Sequence, residues 1–520
     1  MSTPRRPPMP KLPPFALAEE PPRVHQRTYY LAIFFVLFTV PLFLIHLHLL
    51  NLPFFWDEQG QFIPTALDLL RTGSWFPQSW VAHSTLPNVH PPGVEVYLVL
   101  WYKLLGYSIP ITRIAMLLLA GLGLLLTFLL AIQLSRGTKG APAFLPPLFL
   151  LSAPLFYTQS MMAQLDMPAM VLTLLALLFF IKKQYVPAAL ASIALVLVKE
   201  TGIVAPFIFF LILAARKQWR HASLFIAPCI ALLAWLAILH HATGYWLGNP
   251  GFAHYNVGYS LNPVRMALSI LRHAYYLFVA EFRWIGTLVL LLTWRICRSL
   301  FRSEPWRPAL WVALANALLV SILGGAELER YLLPTLPVFY IAVAIGITSL
   351  PRRLFETLAV AGLLAGQVFN LFWNPPYPFP YENNYAMVDF VRLQQVAAAF
   401  MERNFPNATI ATAWPYTAAL RDPDFGFVHR SLKTIETSDF HAASIRSLPP
   451  ASFNVLIVYT RTWMPPHGVV AIPFVRRLLT AYYEWQPEIS PQQCLALGLR
   501  PTVSWSLGGQ DITVYLRQPR

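Results

Sequence analysis

The chain has 520 residues, 56% of them hydrophobic and 12% charged, with a formal net charge of +15. Apolar runs recur along most of its length, the composition of a polytopic helical membrane protein rather than of a soluble one. The basic excess does not point to nucleic acid, because up to residue 355 most Lys and Arg fall in short segments between apolar runs, as in cytoplasmic loops. Three cysteines, Cys229, Cys297 and Cys494, stand far apart with no CxxC spacing, so neither a thiolate metal site nor a disulfide framework is indicated and the redox compartment stays open.

Residues 1–28 are Pro-rich and basic with no apolar face, and read as a disordered cytoplasmic tail. The first span follows at 29–50; no small-residue cleavage site comes after it, so it reads as an uncleaved anchor. Next, "FFWDEQGQF" (54–62) places Asp57 and Glu58 at the mouth of that span, where charge is expensive. An interfacial helix is predicted from Pro64, with Ala66, Leu67 and Leu70 toward lipid and Asp68 and Arg71 toward water. The same loop, 51–110, carries "NVHPPG" with His90, Pro91 and Pro92, and Arg113 opens the second span.

Alternating basic loops with apolar runs gives further spans near 111–134, 141–157, 166–181, 186–198, 203–215, 221–243, 274–295, 308–324, 331–349 and 354–373, about eleven in all. An odd count puts the C-terminus across the membrane from the tail. Several runs are shorter than the ~20 residues needed to cross alone, which leaves cavities for polar groups. Beyond Pro375 the hydrophobic runs shorten, and "ATIATAW", "FNVLIVYT" and "DITVYL" read as strands beside the helical "MVDFVRLQQVAAAFMERNF". The expected architecture is an α-helical membrane domain over 29–374 and a soluble α/β domain over 375–520.

Acids and bases on the non-cytoplasmic side are few. Besides Asp57, Glu58, His90 and Arg113 they include Asp166 in "AQLDMPAM", Lys199 and Glu200 in "VLVKETGIVAP", and Glu327, Glu329 and Arg330 in "GGAELERYLLPTLP". Each has a plain structural alternative. Asp57 and Glu58 could mark a helix boundary, Asp166 could cap a helix, Lys199 with Glu200 could be a solvated pair, Glu327 with Arg330 a helix-surface pair, and His90 a turn residue. The segment 244–284 is rich in aromatics; Tyr245, Tyr255 and Asn256 could contact a sugar or belong to the interfacial belt.

Taken together, Asp57-Glu58, His90-Pro91-Pro92, Asp166 with Pro168, Lys199 with Thr201 and Gly202, and Arg330-Tyr331-Leu332-Leu333-Pro334 resemble, in order over residues 30–350, the motifs of GT-C glycosyltransferases. The resemblance is to the family 39 branch of protein O-mannosyltransferases and lipid A aminoarabinose transferases. It departs from that branch at His90, where many relatives have Lys, and at Gln59, Gly60 and Gln61. It implies an inverting transferase that moves a sugar from a polyprenyl-phosphate donor to a hydroxyl acceptor on the extracytoplasmic face. Asp57 and Glu58 would be catalytic, with Asp57 the base. Lys199, Arg330 and His90 would hold the donor phosphate, with Asp166, Glu200, Glu327, Tyr331 and Tyr255 in support.

Chemistry suits those assignments. A phosphate leaving group needs positive charge more than a proton donor; Arg grips two of its oxygens and Lys supplies a compact charge. The attacking hydroxyl needs a carboxylate base. No obligatory metal is expected, Glu58 being the alternative candidate to orient a divalent ion, and Asp68 and His83 are expected off the site. The competing reading is a transporter or flippase of lipid-linked sugars, but no internal repeat is found and the charges gather at one face. A non-catalytic scaffold would not explain acids and bases at the mouths of several spans. Because every phosphate candidate precedes Asn374, loss of the C-terminal domain is expected to leave donor binding largely intact, while that domain and the 244–284 loop are expected to read the shape of the acceptor. Sugar, acceptor and oligomeric state stay open.

Overall fold

A computed structural model describes residues 31–74, 90–136, 143–247, 250–464 and 468–518. The segments assigned to a cytoplasmic tail, His83 and the loop lysine Lys139 lie outside these residues. Among the described residues, five helices are long and apolar enough to cross a membrane: α1 (Leu31–Leu49), α4 (Ile109–Leu134), α10 (Trp219–Thr243), α12 (Arg283–Phe301) and α15 (Arg353–Phe372). Shorter apolar helices pack among them, α7 (Asp166–Ile181), α8 (Tyr185–Val196), α9 (Val204–Ala215), α13 (Trp306–Ile322) and α14 (Leu336–Thr348). The protein is an integral membrane protein. Local sequence explains the boundaries: α4, for instance, starts where the Ser108 side chain accepts the Ile111 N–H at 3.3 Å, with Pro110 in the first turn.

Three expectations change. The run 141–157 is two helices, α5 (Leu145–Ser152) and α6 (Pro154–Gln159), because Ala153 before Pro154 is extended at ψ 126°. The run 274–295 is broken between α11 (Pro263–Phe278) and α12, where Glu281 and Phe282 take left-handed backbone angles and Glu281 pairs with Arg283 at 2.8 Å. In the first loop, a π-turn over Glu58–Phe62 leads into α2 (Ile63–Thr72), with Pro64 in its first turn. Ala66 and Leu67 of α2 are buried in protein against α3 (Gly93–Leu105), not turned to lipid. With 13 residues α3 is too short to span, and it presents Leu100, Leu104 and Leu105 outward.

The C-terminal domain opens with α16 (Ala386–Asn404) and holds a five-stranded sheet in the order β2-β1-β3-β5-β4. β1 (Thr409–Ala413) runs parallel to β2 (Lys433–Thr437) and β3 (Val455–Tyr459), while β5 (Gln510–Arg517) is antiparallel to β3 and to β4 (Leu499–Leu507). This domain is fastened to the membrane helices. The Thr158 hydroxyl donates to the Glu382 carbonyl, Asn383 donates to Glu329 at 3.0 Å, and the Tyr483 hydroxyl donates to Glu327 at 3.0 Å.

Candidate active site

Between the helices and the C-terminal domain lies a cavity of about 700 Å³. Chain segments far apart in sequence supply its charged wall, and local geometry explains how they meet. Trp56 turns the chain in the left-handed region at φ 44°; of the next two residues, which point in different directions on a helical turn, Asp57 lines the cavity and Glu58 does not. Gly93, at the end of the His90-Pro91-Pro92 motif, donates its N–H to the Leu197 carbonyl at 2.9 Å. A Cβ at 93 would stand 2.5 Å from that oxygen, so only glycine lets this motif press against the turn that carries Lys199 and Glu200. Gly202 closes the same turn against Leu195.

Arg330, on the short 3-10 turn Glu329–Leu332, is the hub. Its guanidinium meets Asp57 at 2.5 Å, Glu382 at 2.6 Å and Gln164 at 2.8 Å, and its Nε lies 3.0 Å from Asp166. The other Asp166 oxygen accepts from Lys199, whose ammonium lies 4.2 Å from the Tyr331 ring centre. Asp57, Asp166, Lys199, Arg330 and Tyr331, named separately from sequence, are thus brought into one cluster on one cavity wall. His90 and Glu200 line the same cavity and pair with each other at 3.0 Å. Burial disfavours the His90 cation, but the Glu200 carboxylate outweighs it and raises the imidazole above its ordinary range. Tyr255 and Asn256 also line the cavity; Tyr245 is not among the lining residues.

Two expected members stand elsewhere. Glu58 is fully buried behind the wall, where it takes Arg113 at 2.5 Å and the backbone N–H groups of Ala163 (2.7 Å) and Phe55 (2.8 Å). Arg113 completes a clamp by donating to the carbonyls of Met161, Leu52 and Pro53. With its oxygens so engaged, Glu58 braces the loop and does not reach a substrate. Glu327 pairs with Arg265 at 3.5 Å and anchors Tyr483, off the cavity. Asp68 is likewise off the cavity wall. Among the described residues, no group of three or more His, Cys, Asp or Glu is arranged to hold a metal.

From sequence the C-terminal domain is expected to help read the acceptor, but no residue of it is singled out. Pro378 to Glu382, Trp414, Arg461 and Thr462 line the same cavity as the residues of the helices, and Glu382 joins the Arg330 cluster itself. Trp414 lies against Gly60, where a Cβ would come 2.6 Å from Cε2 of its ring, which accounts for the Gly60 that departs from the family 39 pattern. Trp56 stands edge-on to Trp414 at 5.9 Å, with Arg461 5.4 Å from the Trp56 ring. Glu382 carries one usable signal, being the first acid after Glu356, just beyond the last span. Its carboxyl, at the domain junction, is pushed up to about 7 by burial, with Asp57, Asp166 and Glu329 adding to the rise and Arg330 opposing it.

Helices of this arrangement, a charged cavity at their mouths and a domain capping it define the GT-C fold, and comparison with solved structures agrees. The chain is similar to ArnT from Cupriavidus metallidurans, in the apo state (15% identity, 95% of this chain and 100% of that chain, TM-score 0.55) and bound to undecaprenyl phosphate (13%, the same coverage, TM-score 0.54). It also resembles the archaeal oligosaccharyltransferase AglB from Archaeoglobus fulgidus, solved with an inhibitory peptide and a dolichol-phosphate (12% identity, 84% of this chain and 70% of that chain, TM-score 0.50). Residues 89–322 match the model of Glycosyltransferase family 87, where the motifs suggested family 39. No curated protein sequence matches the chain. The family 87 match supports glycosyltransferase activity, and the structural likenesses show the fold.

Proposed function

We propose that the protein is an inverting glycosyltransferase that takes a sugar from a polyprenyl-phosphate donor and passes it to a hydroxyl acceptor on the extracytoplasmic face of the cell membrane, with its N-terminus cytoplasmic. The observation that carries this is the meeting of Lys199, Arg330 and Asp57 on one cavity. Lys199 and Arg330 supply the charge a departing phosphate needs, and Asp57 takes the proton of the attacking hydroxyl. Attack from the face opposite the leaving phosphate inverts the anomeric centre, since no covalent intermediate is required.

Trp235, Leu236 and Leu239 of α10 with Val320 and Leu323 at the end of α13 give the cavity apolar lining, suited to the first units of a polyprenyl chain. Undecaprenyl phosphate and dolichol-phosphate are the lipids named with the ArnT and AglB structures, and the family 39 motif order points to the same donor class. Trp56, Trp414, Tyr381 and Arg461 add aromatic faces and a cation, which suit a polar acceptor. Divalent metal is not required in this scheme.

The test is mass spectrometry of surface glycans and glycolipids from cells with and without the chain. One sugar residue should vanish with the chain, return with the native protein, and stay absent with Asp57→Asn. Full restoration by Asp57→Asn would remove the proposed base.

A further inference from the structure

Arg330 is oversubscribed. Asp57, Asp166 and Glu382 surround it, three carboxylates against the two cations Arg330 and Lys199. A donor phosphate reaching this guanidinium would add another negative charge to a cluster already in excess of acid, and it would compete for nitrogens already taken. Something in the cluster must yield. Asp166 is held from both sides, by Lys199 and Arg330, and Asp57 is the proposed base. Glu382 differs: Oε2 accepts from Arg330 at 2.6 Å, while Oε1 is buried and has no hydrogen-bond partner among the described residues.

Resting on the reading above, we propose that Glu382 occupies the donor-phosphate subsite on Arg330 in the donor-free protein, and that donor binding requires Glu382 to take up a proton from solvent. The O–H bond forms on the carboxyl, its negative charge disappears, and the guanidinium edge is released. The neutral carboxyl then offers a donor where it had repelled an anion. Burial already brings this carboxyl close to neutrality near pH 7, so the proton is taken up at modest cost. The turn Tyr381–Asn383 is itself fixed by Thr158 and by the Asn383 bond to Glu329, so the change falls on the side chain rather than on the loop.

The charged and titratable groups that face Glu382 are Arg330 and Glu329 from the 329–332 turn, Asp57 from the first loop and Asp166 from α7. Tyr331 lies against the same cluster. His90 is on the same cavity beside Lys199 and Glu200 and loses charge in the same direction as pH rises, so the experiment has to separate the two. Glu382, with a raised pKa, is neutral below about 7 and charged above it. Phosphate affinity is therefore full at low pH and falls as pH rises through that value.

The probe is a polyprenyl methyl phosphodiester, whose single charge is constant over the range, bound to the full chain in nanodiscs between about pH 5.5 and 8.5. Native protein should lose about thirtyfold in affinity across this range. Glu382→Gln should bind tightly throughout, varying by less than about threefold, whereas His90→Gln should retain the native slope. In the native protein alone, calorimetry at about pH 8 in buffers of different ionisation enthalpy should show uptake approaching one proton per probe bound, which does not depend on any variant folding. Binding without pH dependence or proton uptake would overturn the proposal and leave the glycosyltransferase reading standing. A slope that persists in Glu382→Gln and disappears in His90→Gln would overturn it in favour of His90. Absence of probe binding at every pH would overturn both.

Discussion

Arg113 and Arg330 are both buried guanidiniums facing acids that follow the first membrane helix, and they are used in opposite ways. Arg113 meets one carboxylate, Glu58, donates its other hydrogen bonds to backbone carbonyls, and lies 5.0 Å from the Phe54 ring centre, buried in protein. Charge there is balanced one to one, and the Glu58 oxygens also accept backbone N–H groups. Arg330 is shared among three carboxylates, and it opens on a cavity that could admit a substrate. Saturated pairing inside protein is architecture, whereas an arginine over-supplied with acids at a cavity wall can exchange partners. Adjacent residues, Asp57 and Glu58, fall on the two sides of that divide.

The sharpest way to break the comparison is at those neighbours. Asp57→Asn should cut sugar transfer by ~10²- to 10⁴-fold, the usual loss when a general base is removed, without changing the melting temperature in detergent. Arg113→Ala should do the reverse in kind: it strands a buried carboxylate and destabilises the fold by about 3–5 kcal/mol, read as a lower melting temperature or failure to accumulate. An Arg113→Ala protein as stable as the native one would show that the clamp is not structural. Lys199→Ala should weaken binding of a polyprenyl phosphate by roughly ten- to a hundredfold, since charge-assisted contacts contribute about 1.5–3 kcal/mol. The smallest effect should come from Tyr483→Phe, which loses only the hydroxyl bond to Glu327. It should lower stability by about 1–2 kcal/mol and leave donor affinity unchanged, because Glu327 is off the cavity.

Much of this architecture is legible in the amino-acid sequence alone. The helical membrane class, the α/β character of the last segment and strands β1, β3 and β5 follow from hydropathy and from alternating β-branched runs. β2 and β4 carry a weaker signal because both are edge strands with little buried surface: "KTIET" ends in its one buried residue, and β4 has a register shift near Pro501. Asp57, Asp166, Lys199 and Arg330 stand out by motif, since local sequence marks the mouths of spans. The direction each side chain takes is not written there. Glu58 reads as a partner of Asp57 in the site, but Asp57 has helical backbone angles at the head of the Glu58–Phe62 turn, so the two consecutive side chains point in different directions. Trp414, Arg461 and Glu382 are hidden for another reason, because they reach the site only through the docking of a domain with no motif of its own.

The central claim is that the cavity at Arg330 receives the phosphate of a lipid-linked sugar. Determining the structure of the full chain in nanodiscs with a polyprenyl phosphate tests it most directly. The account places the phosphate within hydrogen-bond distance of both Lys199 and Arg330, with Glu382 moved off the guanidinium and the lipid tail leaving between α10 and α13. A phosphate bound elsewhere, with Arg330 still holding Asp57, Asp166 and Glu382, would contradict it.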